Sequence, residues 1–189
     1  MNVKPMNLDG SSARKKMSLE EFYDFAESAD GQWEFISGAP IALAPPSYKH
    51  QAIVAEMSGV LWQYLKGKKC QSVPGMDVKL FEDSNDIVIP DLLVFCNKEQ
   101  NDGKRINGAP TLVVEVWSPS NKSAERHRKL AMYMKAGVGE IWEIYPEKNF
   151  ARRYTAISDG EYSEVSIPFW NIATSEYFSG LYFDLSKFL

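Results

Sequence analysis

The chain has 189 residues, 44% of them hydrophobic and 24% charged, the make-up of a soluble globular protein able to bury its own core. Its net charge of −4 excludes a uniformly basic nucleic-acid coat and leaves room only for a local basic face. No apolar run approaches the roughly 20 residues needed to span a bilayer, and Met1 to Met17 has no apolar signal core, so no membrane partner is expected. Cys70 and Cys96 form no CxxC pattern and are read as two reduced thiols, in keeping with a cytoplasmic protein.

Residues 1–17 lack hydrophobic periodicity and read as a flexible tail ahead of one domain spanning 18–189. Ser18-Leu19-Glu20-Glu21 has the pattern of a capping box and opens a short helix with Leu19, Phe22 and Phe25 inward. Trp33 to Ile36, a Ser37-Gly38 turn and Ile41 to Leu43 predict a hairpin. Ser47 is placed to cap a second helix whose stripe runs Ile53, Val54, Met57, Val60, Leu61, Tyr64 and Leu65. Strands are expected over 76–81, 87–95 and 111–117, then a helix over 122–136 closed by Gly137. Ile141 to Tyr145 and Ala151 to Thr155 read as two more strands, and the apolar tail from Tyr182 to Leu189 as a segment that docks on the body. The order of elements predicts an α/β (α+β) fold with a mixed sheet. Trp142, Trp170 and Tyr177 suit either core packing or a dimer contact.

Two carboxylates stand out because they sit against apolar strand runs. Asp91 lies in Ile87-Val88-Ile89-Pro90-Asp91-Leu92-Leu93-Val94-Phe95, and Glu115 in Thr111-Leu112-Val113-Val114-Glu115-Val116-Trp117. An ionised group in such a run loses hydration that its neighbours cannot replace, so it needs a cation, a hydrogen-bond donor or a metal. The alternative reads Asp91 as a strand-end turn residue and Glu115 as a member of a structural ion pair. A hard divalent cation is satisfied by two carboxylates, waters and a substrate phosphate, which makes Mg2+ the expected metal and Mn2+ its substitute. Lys129, on the inward side of the 122–136 helix with Leu130 and Tyr133, is placed to send its amine toward that pair. Lys122, Arg126 and Arg128 on the same helix are candidates for nucleic-acid phosphates, or else form a solvated basic face. Glu34 reads as a solvent-facing strand residue or a further acid of the site, and His50 as a residue of the capping region. Two separated histidines without a cysteine cluster do not make a zinc site.

These residues, in this order, resemble the Uma-two family of restriction-endonuclease-like proteins, within the PD-(D/E)XK nuclease superfamily. The likeness runs from about Ser18 to Tyr154. It rests on Trp33-Glu34-Phe35-Ile36-Ser37-Gly38, Pro45-Pro46-Ser47 with His50, Pro90-Asp91, and Ala109 through Ser120 around Glu115; Lys129-Leu130 with Tyr133 and Ala136 to Trp142 complete it. The resemblance implies a restriction-endonuclease-like mixed central β-sheet flanked by helices. It implies Asp91, Glu115 and the Val116 carbonyl as metal ligands, Glu34 as a further acid near the metal, and Lys129 as the catalytic lysine displaced from the strand to the next helix. Trp117 occupies the slot where the lysine commonly stands. Glu125 and Tyr145 each replace a common Asp, departures that touch substrate contacts rather than the metal. The function implied is Mg2+-dependent endonucleolytic cleavage of DNA, with a homodimer suggested where both strands are cut. The alternative is a catalytically inactive nucleic-acid-binding or assembly module on the same fold.

Overall fold

The computed structural model describes residues 16–158 and 160–189, so the expected tail lies outside them apart from Lys16 and Met17. Helix α1 (Leu19–Ser28) opens with the predicted box: the Ser18 hydroxyl accepts from Glu21 N–H, and the Glu21 carboxylate accepts from Ser18 N–H. Its inward Phe22 stacks on Phe35, with ring centres 4.7 Å apart, from β1 (Trp33–Ile36). Strand β1 pairs antiparallel with β2 (Ala39–Ala42). Ser37 and Gly38 both have positive φ, 54° and 82°, the turn that matches the twist of a two-residue hairpin. At Gly38 a Cβ would also meet the Lys16 side chain at 2.8 Å, so only glycine fits.

Ser47 caps α2 (Tyr48–Leu65) by accepting from His50 N–H, and the predicted stripe buries Ile53, Val54, Met57, Leu61 and Leu65. The chain then forms β3 (Gln71–Pro74), β4 (Val78–Lys79), β5 (Leu92–Phe95), β6 (Ile106–Asn107) and β7 (Leu112–Val116). Helix α3 (Ser123–Ala136) follows and ends at Gly137, whose φ of 82° only glycine adopts freely. Strands β8 (Glu140–Tyr145), β9 (Phe150–Ala156), β10 (Tyr162–Pro168), β11 (Ile172–Thr174) and β12 (Tyr182–Asp184) complete the chain.

The central sheet is ordered β10-β9-β8-β7-β5-β3, with β7 and β8 parallel across α3 and every other pair antiparallel. This is the expected mixed sheet flanked by helices. Strand alternation sorts its two faces. Leu112, Val114 and Val116 of β7, with Trp142 and Ile144 of β8, pack beneath α2 and the C-terminal segment. Val113 and Ile141 pack on the other side with Tyr133 of α3. Among the described residues, no helix is long and apolar enough to cross a membrane.

Several expectations need correction. The 87–95 run is not one strand: Pro90 lacks an N–H and ends the ladder, so Ile87 and Val88 bridge to Phe35 and Val78 while β5 starts at Leu92. The strand expected over 76–81 shrinks to β4, which pairs parallel with β6. Cys70 and Cys96 are not reduced thiols but form a disulfide. The β3–β5 register sets Gln71 opposite Phe95 and so brings the two cysteines face to face one step further on. Of the three aromatics considered together, Trp142 is buried in the core, whereas Trp170 and Tyr177 are exposed. In the tail, Phe183, Leu185 and Phe188 dock as expected, but Tyr182 and Leu189 face solvent.

Candidate active site

Glu115 leaves β7 on the face that carries α3, and the second and third turns of that helix deliver the only two side chains α3 buries, Lys129 and Tyr133. Lys129 Nζ lies 2.7 Å from Glu115 Oε1 and 2.8 Å from Glu34 Oε1. It also donates to the Ile89 carbonyl at 3.3 Å, while Ile89 N–H donates to Glu34 Oε1 at 2.9 Å. Tyr133 donates its hydroxyl to Glu115 Oε1 at 2.5 Å. Glu34 reaches this point because β1 bridges through Phe35 to Ile87, just ahead of Pro90. One step past the Leu92–Val114 pair, Asp91 stands opposite Glu115 and accepts from Val116 N–H at 2.7 Å through Oδ2. Its Oδ1 meets His50 Nε2 at 3.1 Å, delivered by the first turn of α2.

Charge in this pocket is unbalanced. Three carboxylates, Glu34, Asp91 and Glu115, share the cluster with one ammonium, which contacts Glu34 and Glu115, and Glu34, Glu115 and Lys129 are all buried. Burial pushes the Glu115 carboxyl up to about 8; Asp91 and Glu34 push the same way, and Lys129 opposes them. Burial alone draws the Lys129 ammonium down, but Glu115 and Glu34 outweigh it and the net moves up, so the lysine stays charged. The Tyr133 hydroxyl is held well above its ordinary range by burial and by Glu115, and therefore acts as a donor.

The structure thus brings together Glu34, Asp91, Glu115 and Lys129. Val116 meets Asp91 through its N–H. Lys122, the exposed N-cap of α3, and Arg126, which donates to the Asn121 carbonyl, lie outside this cluster. Arg128 has a buried Nε without a partner and makes no bond to the cluster either. Three residues escaped the sequence reading. The His50 N–H serves the Ser47 cap, as its capping-region position predicts, but its ring contacts Asp91. Tyr133 belongs to the apolar face in the sequence pattern, yet its spacing of one helical turn from Lys129 gives the two a shared target, Glu115. Glu143, in Ile141-Trp142-Glu143-Ile144, is an acid in an apolar run as surely as Glu115 is. It accepts from Trp117 Nε1, so the tryptophan in the lysine slot is tied to the next strand. Glu140, equally buried on the opposite face, accepts from Trp142 Nε1 and from Glu176 and Tyr177 N–H, which makes it structural.

Among the described residues, no group of three or more His, Cys, Asp or Glu is arranged to hold a metal ion. The residues still fit a hard cation. Mg2+ binds through one or two carboxylates and keeps its waters, and Asp91 and Glu115 offer it carboxylate oxygens, with the His50 ring beside Asp91. The surplus of negative charge and the buried, unpartnered Glu34 Oε2 both call for further positive charge.

The family model Uma2, described as "Putative restriction endonuclease", matches residues 19–186, and the chain belongs to that family. An uncharacterized protein of Synechocystis, slr1290, is 28% identical over 119 residues, an alignment covering 62% of this chain and 62% of that protein. A crystal structure from Anabaena variabilis, described as a putative nuclease belonging to DUF820, superposes with a TM-score of 0.73 at 21% identity; the match covers 92% of this chain and 99% of that one, and establishes the shared fold.

Proposed function

From membership of the Uma2 family, we propose that this chain is a Mg2+-dependent endonuclease that hydrolyses DNA phosphodiester bonds, with Mn2+ able to replace Mg2+. The observation that carries the proposal is the buried Lys129 ammonium, set between Glu34 and Glu115, with Asp91 acting on Glu115 from the neighbouring strand. Asp91, Glu115 and the Val116 carbonyl would hold the cation, with Glu34 close by. A cation bound there supplies Lewis acidity toward the phosphate and acidifies a coordinated water.

The chain's own groups have separable tasks. Lys129 orients the attacking water and offsets charge that develops on the phosphate oxygens. Glu34 fixes Lys129, Tyr133 fixes Glu115, and His50 with Val116 N–H fixes the Asp91 carboxylate. Lys122, Arg126 and Arg128 contact the DNA backbone, and a homodimer presents one site to each strand where both are cut. Trp117 in the lysine slot favours a second reading, a non-cleaving DNA-binding module.

The test is cleavage of plasmid and single-stranded DNA in Mg2+ or Mn2+ by wild type, Asp91→Ala and Glu115→Ala. Wild type is expected to cleave at least about 100-fold faster than either variant. Equal rates for all three, with DNA binding intact, would establish the module instead.

A further inference from the structure

Strand register carries the site outward across the sheet. Glu115 pairs with Glu143, and Glu143 with Arg152, so the three side chains leave one face on neighbouring strands, each about 4.8 Å from the next. Glu143 is buried and has no cationic partner among the described residues. Its oxygens accept from Trp117 Nε1 at 2.9 Å, the Tyr145 hydroxyl at 2.9 Å and the Tyr154 hydroxyl at 3.1 Å.

Beyond Glu143 the row opens into a cavity of about 180 Å³ between the first turns of α3 and strands β8 and β9. Arg126, Lys148 and Arg152 line it. Tyr145 and Phe150 stack with ring centres 4.7 Å apart, and the Arg152 guanidinium lies 5.9 Å and 5.6 Å from those centres. Lys148 Nζ sits 5.8 Å from the Tyr145 ring. Cation–π contact, rather than a carboxylate, therefore holds Lys148 in place. Arg126 and Lys148 have no acid within ion-pair distance among the described residues, and Arg152 has only the half-exposed Glu164, at 3.4 Å. Three cations thus face a single buried carboxylate whose two oxygens are already taken by neutral donors.

A second cavity, of about 280 Å³, shares Arg126, Tyr145 and Lys148 and runs to Trp117 and Ser118, just past Glu115. The two make one groove leading away from the acid–lysine cluster. We propose that this groove seats a phosphate group of the nucleic-acid strand next to the scissile bond, with Arg126, Lys148 and Arg152 as its ligands. The inference rests on the nuclease reading, because only a strand lying across Glu115 would enter the groove from that side. Guanidinium and ammonium groups give a phosphate charge-assisted hydrogen bonds, and a concave basic surface concentrates such an anion.

The experiment uses the full chain in EDTA, so that binding is read without cleavage. Anisotropy of a labelled single-stranded oligonucleotide is followed across a salt series for wild type, Lys148→Ala and Arg126→Ala, with melting curves to confirm folding. Each substitution is expected to weaken binding about 5- to 10-fold and to lower the slope of log K against log salt by about 0.7. Unchanged affinity and slope in both variants, or no binding by wild type, overturns the proposal. Inorganic phosphate should compete only at concentrations far above the oligonucleotide Kd; competition at equal concentration would make this a site for free phosphate and also overturn it. Cleavage in Mg2+ is scored separately. Altered slopes without any cleavage support the groove while removing the nuclease reading, and cleavage with unaltered slopes does the reverse.

Discussion

Helix α2 buries Ile53, Val54, Met57, Leu61 and Leu65, whereas α3, on the other face of the same sheet, buries only Lys129 and Tyr133. The first attachment is non-directional and scales with apolar area, at about 1.5–3 kcal/mol for each fully buried side chain. The second adds a polar anchor, an ammonium and a hydroxyl that meet carboxylates, to the partly buried Leu130, Met132, Met134 and Ala136. A polar anchor of this kind belongs to the site it serves, so part of what seats α3 also sets the electrostatics of the acids. A helix docked by area can be weakened without touching the chemistry.

Substitutions on the two helices should break along that line. Lys129→Met leaves Glu34 and Glu115 buried without their cation and is expected to cost about 3–5 kcal/mol in urea unfolding. Adding Glu34→Gln and Glu115→Gln to it should restore most of the loss; a triple variant no more stable than the single one would mean that apolar packing, not charge, holds α3. Leu61→Ala on α2 is expected to cost about 2–5 kcal/mol while leaving metal-dependent cleavage per folded molecule unchanged. A fall in specific activity there would join the two faces functionally.

A further effect is set by pH. The unfolded chain releases the Glu115 proton near 4.5, whereas burial keeps it in the metal-free fold to about 8. The folded state binds more protons between those values, so this contribution to stability is full below about 4.5 and disappears as pH rises to about 8. Urea midpoints of wild type measured from pH 5 to 8.5 should therefore fall relative to those of Glu115→Gln. A relative rise would show the carboxyl to be ionised throughout.

Local signals were the legible ones. The Ser18 box, the Ser47 cap, the Ser37-Gly38 turn and Gly137 each act within a few residues, and each stands where the sequence places it. Asp91 and Glu115 were visible because a charge in an apolar run violates the pattern around it. Strand β3, Gln-Ser-Val-Pro, carries no such pattern: it is a short, polar edge strand recruited by β5, and missing it hid the cysteine pairing. That Lys129 reaches Glu34 as well as Glu115 depends on how a hairpin bridges to Ile87, which no local spacing encodes. Only the order of motifs shared with a family pointed to Glu34.

Glu34 and Lys129 are 95 positions apart, Glu34 and Ile89 are 55 apart, and Asp91 and Val116 are 25 apart. Contacts of that range carry a loop-closure cost. A growing chain that has not yet extruded α3 holds all three acids but neither the ammonium between two of them nor the hydroxyl on Glu115. On the proposed nuclease reading, the three acids therefore precede in synthesis the ammonium and hydroxyl that complete their cluster.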